Sequence, residues 1–208
     1  MLLALDTATN AVTVALHDGS DVVAESSTEN RLRSGELLAP AIDALLRSAG
    51  VAPSDLGRIA AGVGPGPYTG LRIGLATATT MAAALGIEVV GVCTLDVLAA
   101  AVRVQGPFLV ATDARRREVY WARYSDALVR ASDPAVDLPV AVATELAVAG
   151  NAPSLYPHDF PNPVPPPLPR AGDLARLVAS GAAALLPPLP LYLRRPDAVV
   201  PTVRRRVT

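Results

Sequence analysis

The chain of 208 residues contains no lysine, one cysteine (Cys93) and two histidines (His17 and His158), and aromatic residues make up only 4% of it. Without lysine, a P-loop phosphate cradle, a Schiff base and a lysine general base are all excluded. One cysteine and two histidines about 140 positions apart cannot assemble a Cys/His zinc site or a disulfide framework within one chain. A lone thiol is simplest in a reducing compartment. Long hydrophobic runs are missing as well. The apolar stretch from Leu71 to Val92 is broken by Arg72, Glu88 and several threonines, which argues against a bilayer span. The start, Met1 to Asp6, lacks the basic region of a signal peptide. A cytoplasmic chain with no membrane contact is the expectation.

What is present is an apolar majority, 51% hydrophobic against 18% charged, with 18 arginines against 19 acids. That suffices for a packed core in one domain or two small lobes. The two halves differ. Residues 1–105 carry 6 arginines and 10 acids, whereas residues 106–208 carry 12 and 9. Glycine divides 11 to 4 around position 100, and proline 4 to 16 the other way. A regular, tightly turned lobe over 1–105 is therefore expected, followed by a smaller lobe over 106–208 with a proline-rich connector (Pro161 to Pro169) and a basic tail (Arg204 to Thr208).

Apolar alternation predicts strands at Leu2 to Leu5, Val12 to Leu16 and Val22 to Ser26, with Asp18-Gly19 as a hairpin turn. Leu37, Leu38, Ala41, Ile42, Leu45, Leu46 and Ala49 recur at helical spacing, with Ser34 as a cap and Gly50 as the stop. A strand at Ile59 to Val63, a helix over Leu71 to Leu85, a strand at Val89 to Val92 and a helix from Thr94 to Val102 complete the order βββαβαβα. Phe108 to Asp113 then echoes Leu2 to Asp6, and Glu118 to Tyr124 alternates as Ala11 to Leu16 does. A meander whose first strand ends in Asp occurs twice, the mark of an internal duplication. Asp173 to Leu186 reads as a final helix.

Three segments are candidates for chemistry. Gly62 to Gly74 runs from a buried strand through a rigid turn into a helix. Its turn residues Gly64, Gly66, Thr69 and Gly70 offer an anion site at a helix N-terminus, or else Gly66, Gly70 and Gly74 at four-residue spacing let another backbone or helix approach closely. Asp6-Thr7-Ala8-Thr9 can hold a nucleotide phosphate or a hydrated magnesium ion, or simply cap a turn. Asp113, at the equivalent strand end, can share a cleft with Asp6. Arg115 to Trp121 interleaves arginine and aromatic residues, either as a hairpin tip or as an RNA contact. His17 and His158 lack visible partners, and Cys93 reads as a core thiol. No residue stands out as catalytic, and no metal site is legible.

Taken together, Leu5-Asp-Thr-Ala-Thr9, Gly64-Pro-Gly-Pro-Tyr-Thr-Gly-Leu-Arg-Ile-Gly74, Gly91-Val-Cys-Thr-Leu95, Asp113-Ala-Arg115 with Glu118-Val-Tyr120, and Leu191-Tyr-Leu-Arg-Arg-Pro-Asp-Ala198 resemble the TsaB (YeaZ) family over nearly the full chain. The resemblance implies an α/β fold of two duplicated ribonuclease H-like lobes, of the actin-like ATPase superfamily, with mixed sheets flanked by helices. It also implies a part in forming threonylcarbamoyladenosine beside the anticodon of tRNA. In that system TsaD is the catalytic, metal-binding subunit, TsaE is an ATPase, and TsaB is a scaffold that homodimerises when TsaD is absent. ATP and metal then belong to the partner subunits, tRNA is met through the complex, and Asp6, Thr7, Thr9 and Asp113 are a vestigial nucleotide site. Between Thr28 and Leu46 there is no histidine to supply the sister subunit's metal motif, and Arg33-Ser34-Gly35 stands where relatives often carry one. The implied docking surface is Leu37, Leu38, Ile42 and Leu45 of the first helix with Arg72, Ile73, Ala76 and Met81 of the second. The alternatives are an independently active ATP-binding enzyme and a metallopeptidase-like protein of the same superfamily.

Overall fold

A computed structural model describes residues 1–29 and 34–194. Arg33, Arg195 and the basic tail from Arg204 lie outside the described residues, as does the side chain of Ser34. Strands β1 (Leu2–Asp6), β2 (Ala11–His17) and β3 (Val22–Glu29) form an antiparallel meander, and β4 (Arg58–Gly62) and β5 (Glu88–Val92) add in parallel, giving the order β3-β2-β1-β4-β5. Helices α1 (Ser34–Ala49), α2 (Tyr68–Leu85) and α3 (Thr94–Ala101) alternate with β4 and β5 in the expected sequence.

The alternation along β2 does not separate core from solvent, because every residue of β1 and β2 is buried. Both sheet faces are covered. Val12, Val14 and Leu16 point into a core with Leu38, Ile42, Leu45 and Leu46 of α1 and Leu75 of α2. Ala15 faces the other way, toward Leu174, Ala175 and Val178 of the last helix, α5 (Ala171–Ala179). On that face the Thr13 hydroxyl accepts the Ala171 N–H at 2.9 Å, which satisfies a free donor of the α5 N-terminus inside the core. Glu25 of β3 accepts from the Gly172 N–H and pairs with Arg170 at 2.7 Å. The last helix thus returns to the first sheet.

The second sheet contains β6 (Phe108–Asp113), β7 (Val119–Asp126), β8 (Val129–Arg130) and β10 (Ala147–Ala149) in the order β10-β6-β7-β8, with β9 (Ala135–Asp137) also on β7. This repeats the β4-β1-β2-β3 portion of the first sheet. In each copy an Asp-ended strand is antiparallel to the next strand and parallel to the later one. The chain is an α/β protein of two mixed sheets flanked by helices, with the strand plan of the first sheet repeated in the second.

The final helix is shorter than expected. It stops at Ala179 rather than continuing to Leu186, because Gly181 takes the left-handed conformation (φ 72°) and Pro187 and Pro188 have no N–H to donate. The chain instead becomes a strap. Leu186 exchanges both backbone hydrogen bonds with Gly91 on the open edge of β5 (2.8 and 2.9 Å), and the Leu191 N–H donates to the Val63 carbonyl at 2.8 Å.

Candidate functional site

Because β1 and β4 are adjacent and parallel, their C-terminal ends bring the Asp6 turn and the glycine-rich block together. Asp6 is 1% exposed. Its Oδ1 accepts the Ala8 N–H at 2.7 Å and its Oδ2 accepts the Thr94 hydroxyl at 2.8 Å. Thr94 is itself fixed twice: its Oγ1 accepts the Gly64 N–H at 3.1 Å, and its own N–H donates to the Gly64 carbonyl at 2.8 Å. One carboxylate therefore ties the end of β1 to the start of α3 and, through it, to the glycine-rich turn. Burial pushes the Asp6 carboxyl up to about 6, against the two hydrogen bonds that favour its charged form.

The glycines make room for this closure. A Cβ on Gly62 would lie 1.9 Å from Asp6 Oδ2, one on Gly66 2.0 Å from the Ala8 carbonyl oxygen, one on Gly70 2.3 Å from the Thr7 carbonyl oxygen, and one on Gly74 2.3 Å from Thr7 Oγ1. The buried Thr7 hydroxyl donates to the Gly70 carbonyl at 2.7 Å. The start of α2 is thus laid directly on the β1–β2 turn. Gly64 has φ 95° and carries a cis bond to Pro65. Thr9 accepts the Ala11 N–H at 3.2 Å and caps its turn, and Thr69 is exposed on α2.

The second Asp is placed differently. The Asp113 side chain is 13% exposed and lies 3.4 Å from Arg115 Nη1. Its Oδ1 accepts the Arg115 N–H at 2.8 Å, and its own N–H donates to Asn151 Oδ1 at 2.9 Å. Arg115 reaches across to Asn10 Oδ1 of the first turn at 3.1 Å. Each carboxylate serves its own turn, and the two turns meet through Arg115 and Asn10 rather than through the carboxylates. Arg115, Arg116 and Arg117 form a tight left-handed loop (φ 61°, 53° and 62°). Of the aromatics after it, Tyr120 is buried, and Trp121 is half-buried and donates to Asp137 at 2.9 Å.

The donor set does not fit a nucleotide-bound or protein-bound cation at Asp6. That carboxylate is buried and engaged by two donors, and no group of three His, Cys, Asp or Glu side chains converges among the described residues. Cys93 is buried and its thiol is pushed up to about 12, chiefly by that burial. It is no nucleophile.

The expected docking residues separate into two groups. Leu38, Ile42 and Leu45 are buried in the chain's own core, and Leu37, Ile73 and Met81 are half-buried against it. The first helix consequently presents Ala39, Asp43, Ala44 and Arg47 outward in place of its leucines, because β2 claims the apolar stripe. Arg72 and Ala76 are exposed on α2. Two features escaped sequence reasoning. Thr94 shows only as a Thr after a buried strand, a position that commonly caps a helix. Tyr192 acquires its place only through the strap.

A family profile described as TsaD, tRNA N6-adenosine threonylcarbamoyltransferase, matches residues 29–185. The solved structure of YeaZ from Pseudomonas aeruginosa superimposes with a TM-score of 0.77 at 33% identity, covering 92% of this chain and 99% of that one. The chain belongs to the TsaB (YeaZ) branch of that family. The tRNA threonylcarbamoyladenosine biosynthesis protein TsaB of Escherichia coli is 39% identical over 126 residues, 59% of this chain and 54% of that protein. Protein ML0378 of Mycobacterium leprae is 44% identical over 206 residues, 95% of this chain. The chain spans little more than half the length of these two relatives, 54% and 56%. No helix among the described residues is long and apolar enough to cross a membrane.

Proposed function

We propose that the chain is a non-catalytic subunit in the formation of threonylcarbamoyladenosine on tRNA, docking through its α2 surface onto TsaD, which carries the transfer. The observation that supports this best is the closure of Asp6 beneath the glycine-rich block. The carboxylate that would have to approach a cation is buried and held by Ala8 and Thr94, with Gly62 directly against it. A site so arranged stabilises the fold and positions α2, and it leaves ATP and metal to partner subunits, TsaD and the ATPase TsaE. The same surface pairs two copies of the chain when TsaD is absent, and tRNA is engaged by the assembled complex. Membership in the TsaB branch and the biosynthetic role of the E. coli relative support the pathway.

The test is reconstitution with TsaD and TsaE of the same organism, ATP, threonylcarbamoyl adenylate and unmodified tRNA, omitting each component in turn. Product that requires this chain, with none formed by the chain alone, is the expected result. Product without it, or ATP turnover by the isolated chain, overturns the scaffold assignment in favour of an independent enzyme.

A further inference from the structure

The exposed end of α2 carries a side-chain cluster that no local fold requirement explains. The Arg72 guanidinium lies 4.0 Å over the Tyr68 ring, and Arg72 Nε donates to the Tyr192 hydroxyl at 3.2 Å. The two rings stack with centroids 5.3 Å apart at 23°. Tyr68 is 48% exposed and Tyr192 41%. The strap delivers Tyr192 to this place, anchored on one side by Leu191 on Val63 and on the other by Arg194, which pairs with Glu118 and donates to the Ala114 carbonyl at 3.3 Å. Residues 120 positions apart in sequence are thus held in one geometry.

Among the described residues Arg47, Arg58, Arg115, Arg130, Arg170, Arg176 and Arg194 all pair with carboxylates, but none of these ion pairs involves Arg72. Its Nε is occupied and one face lies over Tyr68, which restrains the rotamer, while the residue as a whole is exposed on α2. A guanidinium restrained in this way loses little entropy on meeting a planar oxyanion and can bind it in a bidentate manner. Tyrosine and arginine are also the residue types over-represented where a few side chains dominate a protein interface.

We propose that Tyr68, Arg72 and Tyr192 form a preorganised clasp for an Asp or Glu side chain of the protein that docks on α2, so that the C-terminal strap completes the docking surface. This inference rests on the docking assignment above. A carboxylate is favoured over a nucleic-acid phosphate because Arg72 is the one charged residue of α2, beside the uncharged Ala76 and Thr80, and the described strap arginine nearest to it, Arg194, is already paired with Glu118. The described residues thus offer no run of open cations to track a backbone.

The experiment is calorimetric titration of the full chain with purified TsaD of the same organism at two salt concentrations, for wild type, Arg72→Gln, Arg72→Lys and Tyr192→Phe, each with a thermal melt as a control for folding. Arg72→Gln is expected to weaken binding by about tenfold and to flatten its salt dependence. Arg72→Lys, which keeps the charge without the fork, is expected to weaken it about fivefold, and Tyr192→Phe about threefold. Wild-type affinity in folded Arg72→Gln overturns the clasp while leaving docking intact. Unchanged TsaD affinity with weakened tRNA binding by the assembled complex overturns it in favour of a phosphate contact. Failure of the wild-type chain to bind TsaD overturns the docking assignment, and the clasp with it.

Discussion

The two Asp-ended hairpins start from one plan and reach opposite states. In the first, Asp6 is buried, satisfied by the Ala8 N–H and the Thr94 hydroxyl, and covered by glycines that admit backbone to within contact distance. In the second, Asp113 remains partly exposed and closes a short local turn with Arg115. The difference lies in the elements that come after each hairpin. The first meander leads into β4, the glycine-rich block and α2, which seal the turn. After β10 the second has the four-residue helix α4 (Ala152–Leu155), and the longer α5 that follows packs on the first sheet rather than over the Asp113 turn. The same Asp-ended hairpin is therefore a structural strut in one copy and a turn-former in the other.

The sharpest way to break this contrast is to deny the first turn its space. Gly66→Ala would place a Cβ 2.0 Å from the Ala8 carbonyl oxygen, backbone against backbone, and should cost about 3 kcal/mol or more in denaturant unfolding. Gly106→Ala, where φ is 82° but nothing lies within 4 Å, should cost only about 1 kcal/mol.

Next in size is the pH dependence of stability. The Asp6 carboxyl is raised from its ordinary 3.8 to about 6 in the fold. Between these values the folded chain holds a proton that the unfolded chain has released, so stability is greatest below the lower value and falls as pH rises through the upper. The contribution is on the order of 3 kcal/mol. Urea titrations from pH 4 to pH 7 on wild type and Asp6→Asn should differ by this slope, and an identical pH profile in the two proteins would contradict the burial of Asp6.

Removing each carboxylate gives a smaller contrast. Asp6→Ala orphans the Ala8 N–H and the Thr94 hydroxyl inside the protein and should lower stability by about 2 kcal/mol, whereas Asp113→Ala, in a partly solvated turn, should lower it by about 0.5 to 1 kcal/mol. Smallest is Arg115→Ala. Its exposed contacts with Asp113 and Asn10 should be worth within about 0.5 kcal/mol by thermal melting.

Much of this contrast was legible in the residues. The order βββαβαβα and the echo of Leu2–Asp6 in Phe108–Asp113 follow from apolar periodicity and agree with the two sheets. Gly66, Gly70 and Gly74 at intervals of four signalled a close approach, but not that the partner is the Asp6 turn, because that depends on β1 and β4 being neighbours. The apolar stripe of α1 was equally visible. Its partner was not, since Leu38, Ile42 and Leu45 read alike whether they face a second protein or this chain's own β2. The strap was illegible for a related reason. Ala182 to Leu186 is as apolar as a helix, and only Gly181 and the prolines after it decide otherwise. Long-range hydrogen bonds such as Thr94 to Asp6, 88 positions apart, leave no local pattern at all.

The most direct measurement of the central claim, that Asp6 is a strut rather than a ligand, is calorimetric titration of the isolated chain with ATP and magnesium at neutral pH. No binding up to about 1 mM nucleotide is expected, for wild type and Asp6→Asn alike. Micromolar binding that disappears in a folded Asp6→Asn protein would contradict it.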